Sequence, residues 1–119
     1  MVNGGTDFVR GDVQSMGITA TMKLAHAAEG LGLDIEMHSP GPAQRQCMAA
    51  IRNCNYYELS GSRPKGPNAN HVPVYADGYS DQLDDAVDGH FSVPQGPGLG
   101  VTYDWEMIER NSLGKVVYE

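Results

Sequence analysis

The chain has 119 residues, of which 15 are acidic and eight basic, for a net charge of −7. That length suffices for one domain with a modest core. No dense Lys/Arg patch exists to neutralise phosphates, which argues against nucleic acid and against an anionic membrane surface as partners.

No apolar stretch approaches the roughly 20 residues that span a bilayer. The opening Met1-Val2-Asn3-Gly4-Gly5 has neither the basic nor the apolar region of a secretory signal. The expected location is therefore cytoplasmic.

The first apolar run, Phe8-Val9-Arg10-Gly11-Asp12, reads as a strand with an acid at its end. Residues 19 to 30 read as a helix, with Thr19 as N-cap and Gly30 and Gly32 as stop signals. Met22, Ala25 and Glu29 mark one stripe of it, and Leu24, Ala27 and Ala28 a more apolar one. Leu33 to His38 is a second strand, ending in an imidazole. Residues 43 to 53 form the second predicted helix, with Pro42 in its first turn, where a missing N–H costs nothing. Its face of Cys47, Ala50, Ile51 and Cys54 is expected to pack on the sheet. A third strand, Asn55-Tyr56-Tyr57-Glu58-Leu59, carries a second acid. The strands are short and mostly apolar, as expected when both faces are covered.

Cys47 and Cys54 would be separated by about 10.5 Å of helical rise. A disulfide needs Cα atoms within roughly 7 Å, so two free thiols are expected, and their spacing matches no zinc motif.

After Ser60 the texture changes. Residues 61 to 72 read as a surface loop, and Val72-Pro73-Val74-Tyr75 as an edge strand, where proline is tolerated. The acids Asp77, Asp81, Asp84, Asp85 and Asp88 read as a solvated run. Pro94 to Val101 is a rigid turn segment; its glycines lack the lysine and long helix of a phosphate-binding loop. Tyr103 to Asn111 suggests a short helix capped by Asp104, with Trp105 as an apolar anchor. Lys115 to Tyr118 resembles a last strand. Arg10-Gly11-Asp12 ends a strand and is read structurally, as are His26, His71 and His90.

The order strand, helix, strand, helix, strand implies an α/β fold with a parallel sheet and right-handed crossovers. Three βα-type units make a partial (β/α)8 barrel over residues 1–62, and residues 63–119 form an irregular C-terminal extension. Asp12, His38 and Glu58 would then emerge side by side at the strands' C-terminal ends, where such barrels keep their chemistry. Neighbouring strands lie roughly 4.8 Å apart, so Asp12 can fix the ring tautomer of His38 and make its other nitrogen a better general base. Glu58 could hydrogen-bond a substrate from the far side. The residues also allow a plainer arrangement, in which Asp12 caps a turn, His38 sits in a satisfied loop and Glu58 is solvated.

Four strings in order, Asp12-Val-Gln-Ser-Met-Gly-Ile-Thr19, Glu36-Met-His-Ser-Pro-Gly-Pro-Ala43, Asn55-Tyr-Tyr-Glu-Leu59 and Pro94-Gln-Gly-Pro-Gly-Leu-Gly-Val-Thr-Tyr-Asp-Trp105, resemble one family. It is the mandelate racemase/muconate lactonizing enzyme branch of the enolase superfamily, in its C-terminal portion. Gly17 stands alone where that family shows two glycines. The resemblance implies a Mg²⁺-dependent acid-sugar dehydratase or racemase that removes a proton next to a carboxylate. In it Asp12 and His38 would be the proton-transfer dyad and Glu58 the electrophilic helper. The family's Mg²⁺ ligands come from earlier strands, so no metal is expected on this chain alone, and the isolated chain is expected to be inactive. Open sheet edges predict self-association or pairing with a missing barrel half. The rival expectation is a non-catalytic interaction or assembly module built on a half-barrel scaffold.

Overall fold

A computed structural model describes residues 3–59 and 74–117. Its centre is a pair of parallel strands, β1 (Phe8–Gly11) and β2 (Asp34–Met37), in register from Phe8 opposite Asp34 to Gly11 opposite Met37. Strand side chains alternate between faces. Ile35 and Met37 are buried, with Val9 packed against the same core, whereas Arg10 and Glu36 fall on the opposite face. Ala25, Cys47 and Ile51, from the helical side, close the core.

Helix α1 (Val13–Gly30) starts six residues before the expected cap at Thr19, because Asp12 caps it instead. Gly17, at φ 76 and ψ 166, separates a first turn from the remainder. Only glycine enters that region without strain, so the lone glycine marks a break inside the helix and not its start. The buried stripe is Thr21, Ala25 and Ala28, which takes one residue from each expected stripe; Ala27 is exposed.

Helix α2 (Pro42–Ala50) carries Pro42 in its first turn as expected and stops three residues early. Asn53 explains the stop. Its Nδ2 donates to Ala25 O at 3.2 Å and to Leu33 O at 2.9 Å, and its main-chain carbonyl accepts from Ile35 N at 2.7 Å. Those bonds require the chain to be extended by Ile51, whose ψ is 156. Cys54 therefore lies beyond the helix and Ala50 is exposed, while Cys47 and Ile51 reach the core. Both cysteines are free.

The expected third strand does not form a ladder. Residues 55–59 run beside β2 in the same direction, tied by side chains. Asn55 Nδ2 donates to Asp34 at 3.2 Å, Tyr56 N to Glu36 Oε2 at 3.1 Å, and Ser39 N to Glu58 Oε2 at 2.6 Å. The side-chain carboxylates of β2 thus accept from amides of this segment in place of a strand ladder. The α/β class holds, with two paired strands among the described residues where three were expected. Nor are both faces covered, since Phe8 is 53% exposed.

In the C-terminal part, the expected edge strand is reduced to a single antiparallel bridge between Tyr75 and Tyr103; its first residues lie outside the described ones. Residues 60–73, which hold the whole of the expected loop and His71, also lie outside. Helix α3 (Trp105–Arg110) has Asp104 as its cap, accepting from Met107 N at 2.9 Å. Trp105 is 66% exposed, so it stacks near Tyr103 without serving as a buried anchor. Residues 115–117 form no strand.

The acidic run is not uniformly solvated either. Asp81 is 15% exposed and pairs with Arg45 of α2 at 2.6 Å. The guanidinium, 8% exposed, lies against the rings of Tyr57, Tyr79 and Phe91 at 5.1, 4.6 and 4.6 Å. It also donates to Ser80 O at 2.6 Å and Ser92 O at 3.0 Å. This cluster fastens the C-terminal part to α2. No described helix is long and apolar enough to cross a membrane.

Candidate active site

β1 ends at Gly11, and the next residue, Asp12, has extended backbone that turns the chain into α1. Its carboxylate is shared. Oδ1 accepts from Gln14 N at 2.9 Å, as an N-cap does. Oδ2 accepts from Ser15 Oγ at 2.6 Å and stands 3.2 Å from His38 Nδ1. The Ser15 hydroxyl, then the imidazole and the backbone amides, hold the Asp12 carboxyl down at about 2 against a smaller opposing effect of desolvation. Asp12 is therefore an anion throughout the neutral range.

His38 follows β2 directly and continues its ladder by one bond, from its own N to Gly11 O at 2.7 Å. That bond brings the ring alongside Asp12. With Asp12 ionised, the Nδ1–H is the donor and Nε2 is left unprotonated in the neutral ring, an assignment that follows from the network. The ring is 45% exposed and so open to a ligand.

Glu58 reaches the same rim by the segment beside β2. Arg10 Nη2 contacts both of its oxygens, at 2.7 and 2.6 Å, and Ser39 N donates to Oε2. The Ser39 amide, followed by Arg10 and the nearby imidazole, holds the Glu58 carboxyl below the usual range. Ser39 itself sits at φ 64, the left-handed region.

All three sequence-predicted residues thus meet at one end of the sheet, Asp12 and His38 in direct contact and Glu58 through Ser39. Two partners escaped the sequence reading. Ser15 lies three residues after a cap, the spacing at which a first-turn side chain reaches back to it. Arg10 lies two residues before Asp12, which strand alternation puts on the same face. His26 is exposed on α1, and His90 bonds Asp88 O within a tight turn; neither joins the site.

Among the described residues, the Mg²⁺ implied by the resemblance finds no donor set. No group of three His, Cys, Asp or Glu side chains there is placed to hold a metal ion, and Asp12, His38 and Glu58 are engaged with protein partners. A cleft of about 510 Å³, lined by residues such as Met48, Tyr56, Leu83 and Phe91, includes none of Asp12, His38 or Glu58.

A family model described as enolase C-terminal domain-like matches residues 1–107. No curated protein and no solved structure matches the chain.

Proposed function

The chain belongs to the enolase C-terminal domain-like family, and on that footing we propose that it carries the acid/base part of an acid-sugar dehydratase or racemase site. The substrate class is a 2-hydroxy carboxylate, and the reaction begins with removal of the proton next to its carboxylate. One observation supports this reading above the others: the 3.2 Å contact between His38 Nδ1 and Asp12 Oδ2 at the C-terminal ends of adjacent parallel strands.

In the proposed step His38 is the acid/base. Nε2 takes the proton, and the ring becomes an imidazolium stabilised by the anionic Asp12, which holds Nδ1–H throughout. Glu58 is the second acid of the rim. Stabilising an enolate dianion calls for further positive charge, which the described residues do not bring together around a metal. We therefore propose that the site is completed by association, with a second copy or with the remaining barrel strands. The side of β1 away from β2 has no partner strand among the described residues, as such pairing requires. The isolated chain is expected to show no turnover, and its setting is the cytoplasm.

Long-range ¹H–¹⁵N spectra of the His38 ring test the dyad. Wild-type neutral ring should favour the Nδ1–H tautomer, and Asp12→Asn should lose that preference. Identical ring-nitrogen shifts in the two proteins would refute it.

A further inference from the structure

We propose that Arg10 and Glu58 form a positioning pair for His38, a brace that holds the turn after β2 so that the imidazole faces Asp12. This rests on the acid/base reading of the dyad, and deepens it by assigning Glu58 a holding role at the rim.

The turn needs holding. Ser39 stands at φ 64, a region that residues with a Cβ enter only at a free-energy cost and keep only where the surroundings over-determine them. The surroundings here are specific. The amide of His38 donates to Gly11 O at 2.7 Å, and the amide of Ser39 donates to Glu58 Oε2 at 2.6 Å. The two N–H groups flanking the His38 Cα are thus bonded in turn to β1 and to Glu58.

Glu58 is itself fixed from β1, since Arg10 Nη2 lies 2.7 and 2.6 Å from its two oxygens. The contacts close a circuit: Arg10 to Glu58, Glu58 to Ser39, the backbone to His38, His38 to Asp12, and β1 back to Arg10. The longest bond in that circuit is the one between His38 and Asp12. With the brace cut, only that contact and the backbone bonds of His38 itself are left to set the ring direction.

A carboxylate engaged in this way only accepts hydrogen bonds. Anionic and shared between an amide and a guanidinium, Glu58 has no proton to give to a substrate. Holding the turn is the role its contacts describe.

The experiment reads the His38 ring-nitrogen spectrum of the full chain in Arg10→Gln, Arg10→Lys, Glu58→Gln and Asp12→Asn. Amide shifts of Ile35 and Met37 report whether the core is intact. Arg10→Gln and Glu58→Gln should lower the ratio of Nδ1–H to Nε2–H tautomers by roughly fivefold, the effect of losing one ordinary hydrogen bond. Arg10→Lys keeps a cation beside Glu58 and should recover most of that loss, which general damage to the fold would not allow. Arg10 is 53% exposed, so Arg10→Gln decides the matter even if Glu58→Gln does not fold. A ratio within about twofold of wild type in Arg10→Gln would overturn the brace while Asp12→Asn still shifts the spectrum. A spectrum unmoved by Asp12→Asn would instead overturn the dyad.

Discussion

Replacing Arg45 by alanine should be among the most damaging single changes in this chain. The guanidinium is 8% exposed, and its partner Asp81 is 15% exposed. Removing one member of a buried ion pair leaves the other charge stranded, at a typical cost of about 3–5 kcal/mol. Asp81 keeps hydroxyl donors, from Tyr79 at 3.0 Å and from Tyr57, which favours the lower end, about 3 kcal/mol. Loss of the cation from between three aromatic rings adds about 1 kcal/mol. The total of about 4 kcal/mol compares with a whole-domain stability of roughly 5–15 kcal/mol. Urea unfolding followed by tyrosine and tryptophan fluorescence should show Arg45→Ala shifted to a much lower midpoint or already unfolded. Arg45→Met with Asp81→Asn strands no charge, and should recover a good part of the loss. A cost for Arg45→Ala below about 0.5 kcal/mol, the range of ordinary surface changes, would refute the reasoning. Strict additivity of the two changes would do the same.

The remaining predictions concern acid stability, packing, thiols and assembly. The folded pKa of Asp12, about 2, lies below the ordinary 3.8, so its contribution to stability is present above pH 3.8 and disappears as pH falls through about 2. The stability gap between wild type and Asp12→Asn should therefore narrow on acidification; a gap constant from pH 6 to pH 2 would contradict the capping and dyad contacts. At Gly11 an added Cβ would stand 3.0 Å from Ile35 Cδ1 and 3.2 Å from both Met37 Sδ and Thr21 Cγ2. Gly11→Ala should cost about 1–3 kcal/mol by overpacking, read from its thermal midpoint, and a neutral result would mean that α1 does not lie so close to β1. Burial and then the Glu36 carboxylate push the Cys54 thiol up to about 11, and burial raises Cys47. Both should react slowly with a disulfide reagent at pH 8 and quickly in urea, by mass spectrometry; rapid native labelling would argue against this packing. Light scattering on a sizing column should find the chain associated, and a compact monomer would refute completion of the site by a partner.

The sequence alone was enough to locate the βα alternation, because its cues are local. Apolar runs, Pro42 at a helix start, Asp104 as a cap and an acid or imidazole just past a strand are all read within a few residues. The same locality put Asp12, His38 and Glu58 at one rim, since parallel strands joined by helices bring their C-terminal ends together. What tertiary structure decided were the competitions between distant groups. Asp12 displaced Thr19 as cap with one local amide donor and one local hydroxyl donor, and only folding added the imidazole of His38, 26 residues away, to its partners. Asn53 stopped α2 and replaced a strand ladder because its amide found Ala25 and Leu33 across the fold. Asp81 left the solvated run because Arg45, 36 residues away in sequence, and the three aromatic rings around it offered a charge and a dry pocket. Periodicity cannot register the partners of Asn53 and Asp81, for those lie beyond a helix or a loop whose course is set only when the chain has folded.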